Sequence, residues 1–197
     1  MGAPQLSPVP KPIAIFPQFI AQQTETLALK EKVLSLTGDS FTIKLVNGQP
    51  LLRVEGKVMS ISGRKSVYDM AGTHLFNIVK EHFHLHTTFA AQEPAGKKFL
   101  EVKSSFKLFG SKATATFTSP STGNTESLAM RGNWLDSAAE IVDEATGSVV
   151  ARIDRKLFRG RDIIFDQQSY AVSVAPGIDM ALIAAMCICF DEKNNEN

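Results

Sequence analysis

The chain has 197 residues, 44% of them hydrophobic and 21% charged, which is enough apolar side chain for a sizeable core and excludes wholesale disorder. Its 21 Lys and Arg nearly cancel 20 Asp and Glu, so global charge gives no reason to expect nucleic acid or an anionic membrane as partner, and any electrostatic site must be local. A length near 200 suits a single all-β unit.

The stretch from Met1 to Pro17 holds five of the nine prolines and lacks the charged start and continuous apolar core of a secretory signal. Residues 1–23 are expected to form an extended or mobile Pro-rich arm, followed by one domain over 24–192 and a polar tail at 193–197. Met1-Gly2 resembles an N-myristoylation start, but Leu6 stands where that pattern needs Ser or Thr.

From Thr24 onward, short stretches of alternating or β-branched character are separated by turn residues about every ten positions, the pattern of a barrel or sandwich. Asn47-Gly48, Gly72, Gly96, Gly110, Gly123-Asn124, Gly132-Asn133 and Gly147 mark the expected turns, with Asn47-Gly48 the best hairpin signal because both residues accept positive φ. Between them Phe41–Val46, Ala113–Phe117 and Ser148–Ile153 alternate so that one face meets a core. Around a dozen such strands fit, and the absence of long intervening helices favours an antiparallel β architecture over a doubly wound α/β fold. A helical pattern in Asp136–Asp143 is the minor alternative.

Tyr170–Val174 alternates again, Pro176-Gly177 stops the strand, and a run from Ile178 to Phe190 is rich in Ala, Leu and Met. Its composition predicts helix, with Asp179 in the first turn complementing the positive end of the dipole, and Asp191-Glu192 ends it. Thirteen residues of helix reach about 20 Å, short of the roughly 30 Å of a bilayer core. A helix with no polar face is buried on all sides, and its seven large side chains at about 1.5 to 3 kcal/mol each represent a burial term of order 10 to 20 kcal/mol. Cys187 and Cys189 lie in this run as the chain's two cysteines. A helix points them about 200° apart, so they cannot bridge each other, and they read as small buried hydrophobes of a protein in a reducing compartment.

Several phrases, in order, resemble the LURP-one-related branch of the Tubby C-terminal-like (scramblase-like) superfamily over roughly residues 25 to 192. They are Ser66-Val67-Tyr68-Asp69-Met70-Ala71-Gly72; Phe83, Leu85 and His86; Gly132-Asn133-Trp134; Glu140-Ile141; Val149 to Ile153; Arg155-Lys156; and the closing Tyr170-x-Val172-x-Val174-Ala175-Pro176-Gly177-Ile178-Asp179-x-Ala181-Leu182 through Asp191. The resemblance implies a mainly β fold, a closed antiparallel barrel of about twelve strands around a buried apolar C-terminal helix. The loop Ala91–Lys98 and the arm depart from the family pattern. For activity it implies binding rather than catalysis: Tubby domains bind phosphoinositide headgroups, scramblases are linked to lipid movement, and plant members of the LURP-one branch are tied to defence. None is a well-defined enzyme, and fold alone does not settle function.

The densest local charge is Arg152, Arg155, Lys156, Arg159 and Arg161, opposed by Asp154 and Asp162. Guanidinium forks grip phosphate bidentately, and Gly160 offers a close-approaching turn, so these five are the candidate ligand-binding residues, set against an ordinary solvated face. The superfamily's lipid-binding residues do not map here one by one, so none is carried over.

His82, His84 and His86 alternate along one predicted strand, about 6.6 Å apart on one face. With no further ligand in view they are expected to point outward and gain charge near pH 6.5 rather than hold a metal. Gly38-Asp39-Ser40-Phe41 resembles the start of one esterase family, but it opens a strand and no Asp-x-x-His follows near the end. No Gly-rich phosphate loop is present, and Trp134 stands where an indole could close one barrel end, with core packing its default reading.

These readings predict a non-enzymatic binding module without cofactor or metal. It would be cytoplasmic or peripheral to a membrane with no transmembrane segment, and it would meet acidic phospholipid headgroups at a membrane surface, or a protein partner, but no nucleic acid. The alternatives are a stress- or defence-related interaction protein without lipid ligand, and a barrel that binds a small molecule or metal.

Overall fold

The computed structural model describes residues 5–30, 40–56, 64–81, 88–106, 111–133, 138–157 and 169–194. Twelve strands follow in chain order: β1 Glu25–Lys30, β2 Ser40–Leu45, β3 Pro50–Gly56, β4 Lys65–Asp69, β5 His74–Glu81, β6 Thr88–Gln92, β7 Lys98–Phe106, β8 Ser111–Thr118, β9 Thr125–Asn133, β10 Ala138–Asp143, β11 Val149–Asp154 and β12 Ser169–Val174. The helix α1, Met180–Asn194, closes the chain. Each strand pairs with its sequence neighbour, and β12 returns to β1, so the sheet is a closed barrel. Register between the closing pair runs from Glu25 opposite Val174 to Lys30 opposite Ser169, antiparallel like the other pairs. Closure leaves none of these twelve described strands with an open edge.

Alternation sets the two faces. In β2, Ile43 and Leu45 are buried against the core while Lys44 between them is not. Val67 on β4 and Phe76 on β5 are directly paired and fully buried, whereas Arg53, Tyr68 and His74 form a row on the outside. Arg53 lies 5.1 Å over the Tyr68 ring, and Tyr68 stacks on His74 at 4.9 Å.

The Asn47-Gly48 hairpin forms as expected, with the Gly48 N–H donating to the Leu45 carbonyl at 2.9 Å. The departure expected at Ala91–Lys98 narrows to a tight turn, because β6 extends to Gln92 and β7 starts at Lys98. Two local details are settled by partners. Of Asp136–Asp143, where helix was the minor alternative, the described part Ala138–Asp143 is strand β10, held between β9 and β11 with Ala139 and Ile141 in the core. Gly132-Asn133, expected as a turn, is the end of β9. Gly132 has φ +106, and a Cβ there would sit 3.0 Å from the Ala138 carbonyl oxygen and 3.2 Å from the Ala139 Cα. Close backbone approach, not a chain reversal, demands glycine.

The barrel is filled by α1. From Ile178 to Phe190 every residue is at most 8% exposed, and this run packs in one cluster with inward side chains from around the sheet. The helix begins two residues later than the apolar run because Asp179 is its cap. The Asp179 Oδ1 accepts the N–H groups of Ala181 (2.8 Å) and Leu182 (3.2 Å), which have no partner inside the helix.

Along its described length, residues 5–23, the arm is held against the barrel at several points. It crosses the end of the barrel where α1 starts, because its backbone groups find partners there. Val9 and Ile13 N–H donate to the Pro176 and Gly177 carbonyls, and the Ala21 N–H donates to Ile178. Ile13, Phe19 and Ala21 are buried, and Phe16 stacks on Phe76 at 5.5 Å and meets Phe99 edge-on at 5.7 Å. Gly177, at φ +90, lets the arm come this close, since a Cβ would meet Val9 Cγ2 at 2.8 Å. The second Asp179 oxygen, Oδ2, accepts the N–H groups of Ile15 (3.0 Å) and Phe16 (2.7 Å). One carboxylate therefore ties arm to helix.

Candidate functional site

Of the five cations expected to act together, the three that are described, Arg152, Arg155 and Lys156, do not share one face. Arg152 lies on the outer wall of β11, directly opposite Glu140 on β10. Its Nη2 and Nε reach the same Glu140 oxygen at 2.6 and 3.1 Å, with both side chains about 40% exposed. Lys156 is exposed, and its backbone N–H is held by the Asp154 carboxylate at 2.7 Å. Arg155 points inward. It is 8% exposed, its Nη2 is 3.2 Å from Asp191 Oδ1, and its guanidinium lies 4.8 Å over the Tyr170 ring. So placed, Arg155 turns its guanidinium toward Asp191 and the Tyr170 ring, away from the solvent face that carries Arg152 and Lys156. Arg159 and Arg161 lie outside the described residues, as do His82, His84, His86 and Trp134. Of Gly38-Asp39-Ser40, only Ser40 is described, exposed at the start of β2.

What sequence reasoning missed is the set of groups that Arg155 joins. Tyr170, fully buried on β12, donates to Asp191 Oδ2 at 2.6 Å. The next residue, Glu192, accepts from Lys65 Nζ of β4 at 2.7 Å, with the Lys65 side chain 8% exposed. The signal was legible in principle: Asp191-Glu192 closes a helix buried on all sides, so at least one carboxylate had to be met by a buried cation. Burial pushes the Asp191 carboxyl up to about 7, although Tyr170 and Arg155 pull it down. Burial, with the Asp191 charge, also pushes Tyr170 and the Cys187 thiol well up, and burial raises Cys189 likewise. Both thiols are protonated and inert.

At the arm end, a groove of about 470 Å³ opens between the arm, the start of β9 and the turn after β10, lined by Val9, Lys11, Glu126, Asp143, Glu144 and Thr146 among others. Lys11 stands 3.9 Å from Glu126. The Asp143 carboxylate is taken up by its own turn, accepting the Ala145 N–H at 3.1 Å and the Thr146 hydroxyl at 2.6 Å. Among the described residues no three His, Cys, Asp or Glu side chains converge as metal ligands, and no helix is long and apolar enough to cross a membrane.

A family model described as LURP-one-related matches residues 25–191. Among curated proteins, the chain is similar to Protein LURP-one-related 15 of Arabidopsis thaliana, with 21% identity covering 100% of this chain and 93% of that one. It is also similar to Protein LURP-one-related 10 of the same plant (22% identity, 93% and 97% covered) and to Protein LURP1 (20%, 84% and 82%). Among solved structures, the X-ray structure of an Arabidopsis thaliana protein superposes with a TM-score of 0.65 at 18% identity, covering 92% of this chain and 98% of that one. At that identity the superposition speaks for the closed barrel and its C-terminal helix.

Proposed function

We propose that this chain, which belongs to the LURP-one-related family, is a non-enzymatic binding module that meets its partner with the outside of the barrel and its rim. The observation that carries this reading is the interior itself: residues 178–190 are at most 8% exposed and pack against inward side chains of the strands. The helix occupies the space an internal small-molecule ligand needs, which argues against a carrier of the lipocalin kind.

For the partner, the pairing of Arg152 with Glu140 and of Arg155 with Asp191 favours a protein over a lipid headgroup, because a neutralised guanidinium has little left to offer a phosphate. A defence- or stress-related interaction in the cytoplasm agrees with the family resemblance and with two unpaired, buried thiols. The exposed Lys156, followed in sequence by Arg159 and Arg161, supports a second reading, peripheral attachment to phosphoinositides.

Flotation with liposomes containing phosphoinositide, at low salt and at 0.5 M salt, separates the two. Under the protein reading, flotation is absent at both salts and a pull-down recovers a stoichiometric protein complex. Under the lipid reading, flotation appears at low salt, is screened at high salt and is lost in Lys156→Glu. Turnover of a ligand by the purified protein would refute the binding-module reading itself.

A further inference from the structure

The last turn of α1 breaks a rule that its first turn keeps. Acidic side chains at a helix C-terminus face the negative end of the macrodipole, yet Asp191 and Glu192 stand there, with Asp191 only 5% exposed. Each is met by a cation from the barrel wall: Arg155, just past β11, at 3.2 Å from Asp191, and Lys65, the first residue of β4, at 2.7 Å from Glu192. Around the closed sheet β4 and β11 are five strands apart one way and seven the other, so the two ion pairs grip the helix end from opposite walls. Tyr170 of β12 adds the 2.6 Å hydrogen bond to Asp191. Buried ion pairs contribute little net stability, and their best-attested use is to set register or to switch.

We propose that Asp191, Arg155 and Tyr170, with Lys65 and Glu192 across the barrel, form a charge latch that holds the last turn of α1 inside the barrel with a pH-dependent grip. The groups facing Asp191 are Arg155 from the segment after β11, Tyr170 from β12, and Cys187 and Glu192 from its own helix, with Lys65 of β4 acting through Glu192. Tyr170 and Cys187 are both raised and stay neutral, which leaves Asp191 to titrate near neutrality. Docked, its carboxyl sits at about 7; released into water it returns to 3.8. The docked form therefore holds a proton that the released form gives up. The contribution of Asp191 to the grip is therefore full below about pH 4, weakens as the pH rises to about 7, and is constant above that, where the cost of burying its charge is borne against Arg155 and Tyr170.

Cys187 and Cys189, both 0% exposed and within a turn of Asp191, are built-in reporters of release. The test is the labelling rate of these thiols by an uncharged alkylating reagent in the intact chain, divided by the rate in denaturant at the same pH. Between pH 5.5 and 7, protection is expected to fall by up to about tenfold per pH unit, with a urea dependence well below that of global unfolding. Asp191→Asn, which keeps the shape without the titration, is expected to abolish the pH slope. Glu192→Gln retains Asp191 and is expected to keep the slope, so a folding defect in one variant leaves the other informative. Protection that does not vary with pH in the parent chain overturns the latch. So does an equal slope in Asp191→Asn, loss of the slope in Glu192→Gln, or a urea dependence equal to global unfolding.

Discussion

Replacing Asp179 is the sharpest test of how the arm and the helix are held. Its carboxylate is fully buried and accepts four backbone N–H groups, two from the first turn of α1 at 2.8 and 3.2 Å and two from the arm at 3.0 and 2.7 Å. Removing a helix cap costs about 0.5–2 kcal/mol, and each hydrogen bond from the arm to a charged acceptor is worth about 1.5–3 kcal/mol. Part of that is offset by the cost of burying the carboxylate, since burial pushes its titration up even though the four N–H groups pull it down. Asp179→Ala leaves four donors without their acceptor, so a net loss of about 3–5 kcal/mol is expected, a fall in Tm of about 6–20 °C for a domain of this size. Asp179→Asn keeps one acceptor oxygen, which serves either the helix pair or the arm pair, while its NH2 opposes the other; about half the loss is expected. Urea unfolding followed by far-UV circular dichroism measures both. A cost below about 1 kcal/mol for Asp179→Ala, or equal costs for Ala and Asn, would refute the four-donor clamp.

The neighbours Arg155 and Lys156 should behave oppositely. Arg155→Ala strands a buried carboxylate and is expected to cost about 3–5 kcal/mol, whereas Lys156→Ala should stay within about 0.5 kcal/mol, both read from urea midpoints. Gly132→Ala, at positive φ and 3.0 Å from a backbone oxygen, is expected to destabilise by more than Gly72→Ala, which has positive φ but open space; the same unfolding experiment ranks them. Leu182→Ala, in the first turn of α1 and fully buried in the core cluster, should cost about 2–5 kcal/mol by leaving a cavity. A cost under about 1 kcal/mol would mean that α1 is less tightly enclosed than its burial indicates.

Much of the fold was legible because it depends on short-range pattern. Alternation in Ser148–Ile153 and Tyr170–Val174 reports a strand whatever strand lies beside it, and β11 and β12 stand there, although β12 is buried on both faces rather than one. The run from Ile178 to Phe190 reports a helix enclosed on all sides because it has no polar face to offer water. What the pattern left open has one cause. Asp136–Asp143 carries a pattern that fits two periods, and for its described part, Ala138–Asp143, pairing with β9 and β11 decided for strand. Gly132 looked like punctuation, but its reason is the backbone of β10 across the sheet.

The cation run shows the same limit at the candidate site. Arg152, Arg155 and Lys156 are close in sequence, yet one meets Glu140 outside the barrel, one is drawn inside to Asp191, and one is exposed. Local charge density cannot foresee a partner 36 residues away, and it is the partner that decides whether a guanidinium faces a ligand or the core.

By itself the residue pattern determined that the chain builds a strand-rich domain with an apolar helix buried in it, because periodicity and hydrophobic burial act residue by residue; closure into a barrel around that helix was implied by the family resemblance and is what the structure has. Only the tertiary structure decided what fastens that helix: Asp179 reaching back 163 and 164 residues to the arm, and Asp191 and Glu192 gripped by Arg155 and Lys65. A buried charge takes its meaning from the groups that surround it, and those are brought together by folding, not by order along the chain.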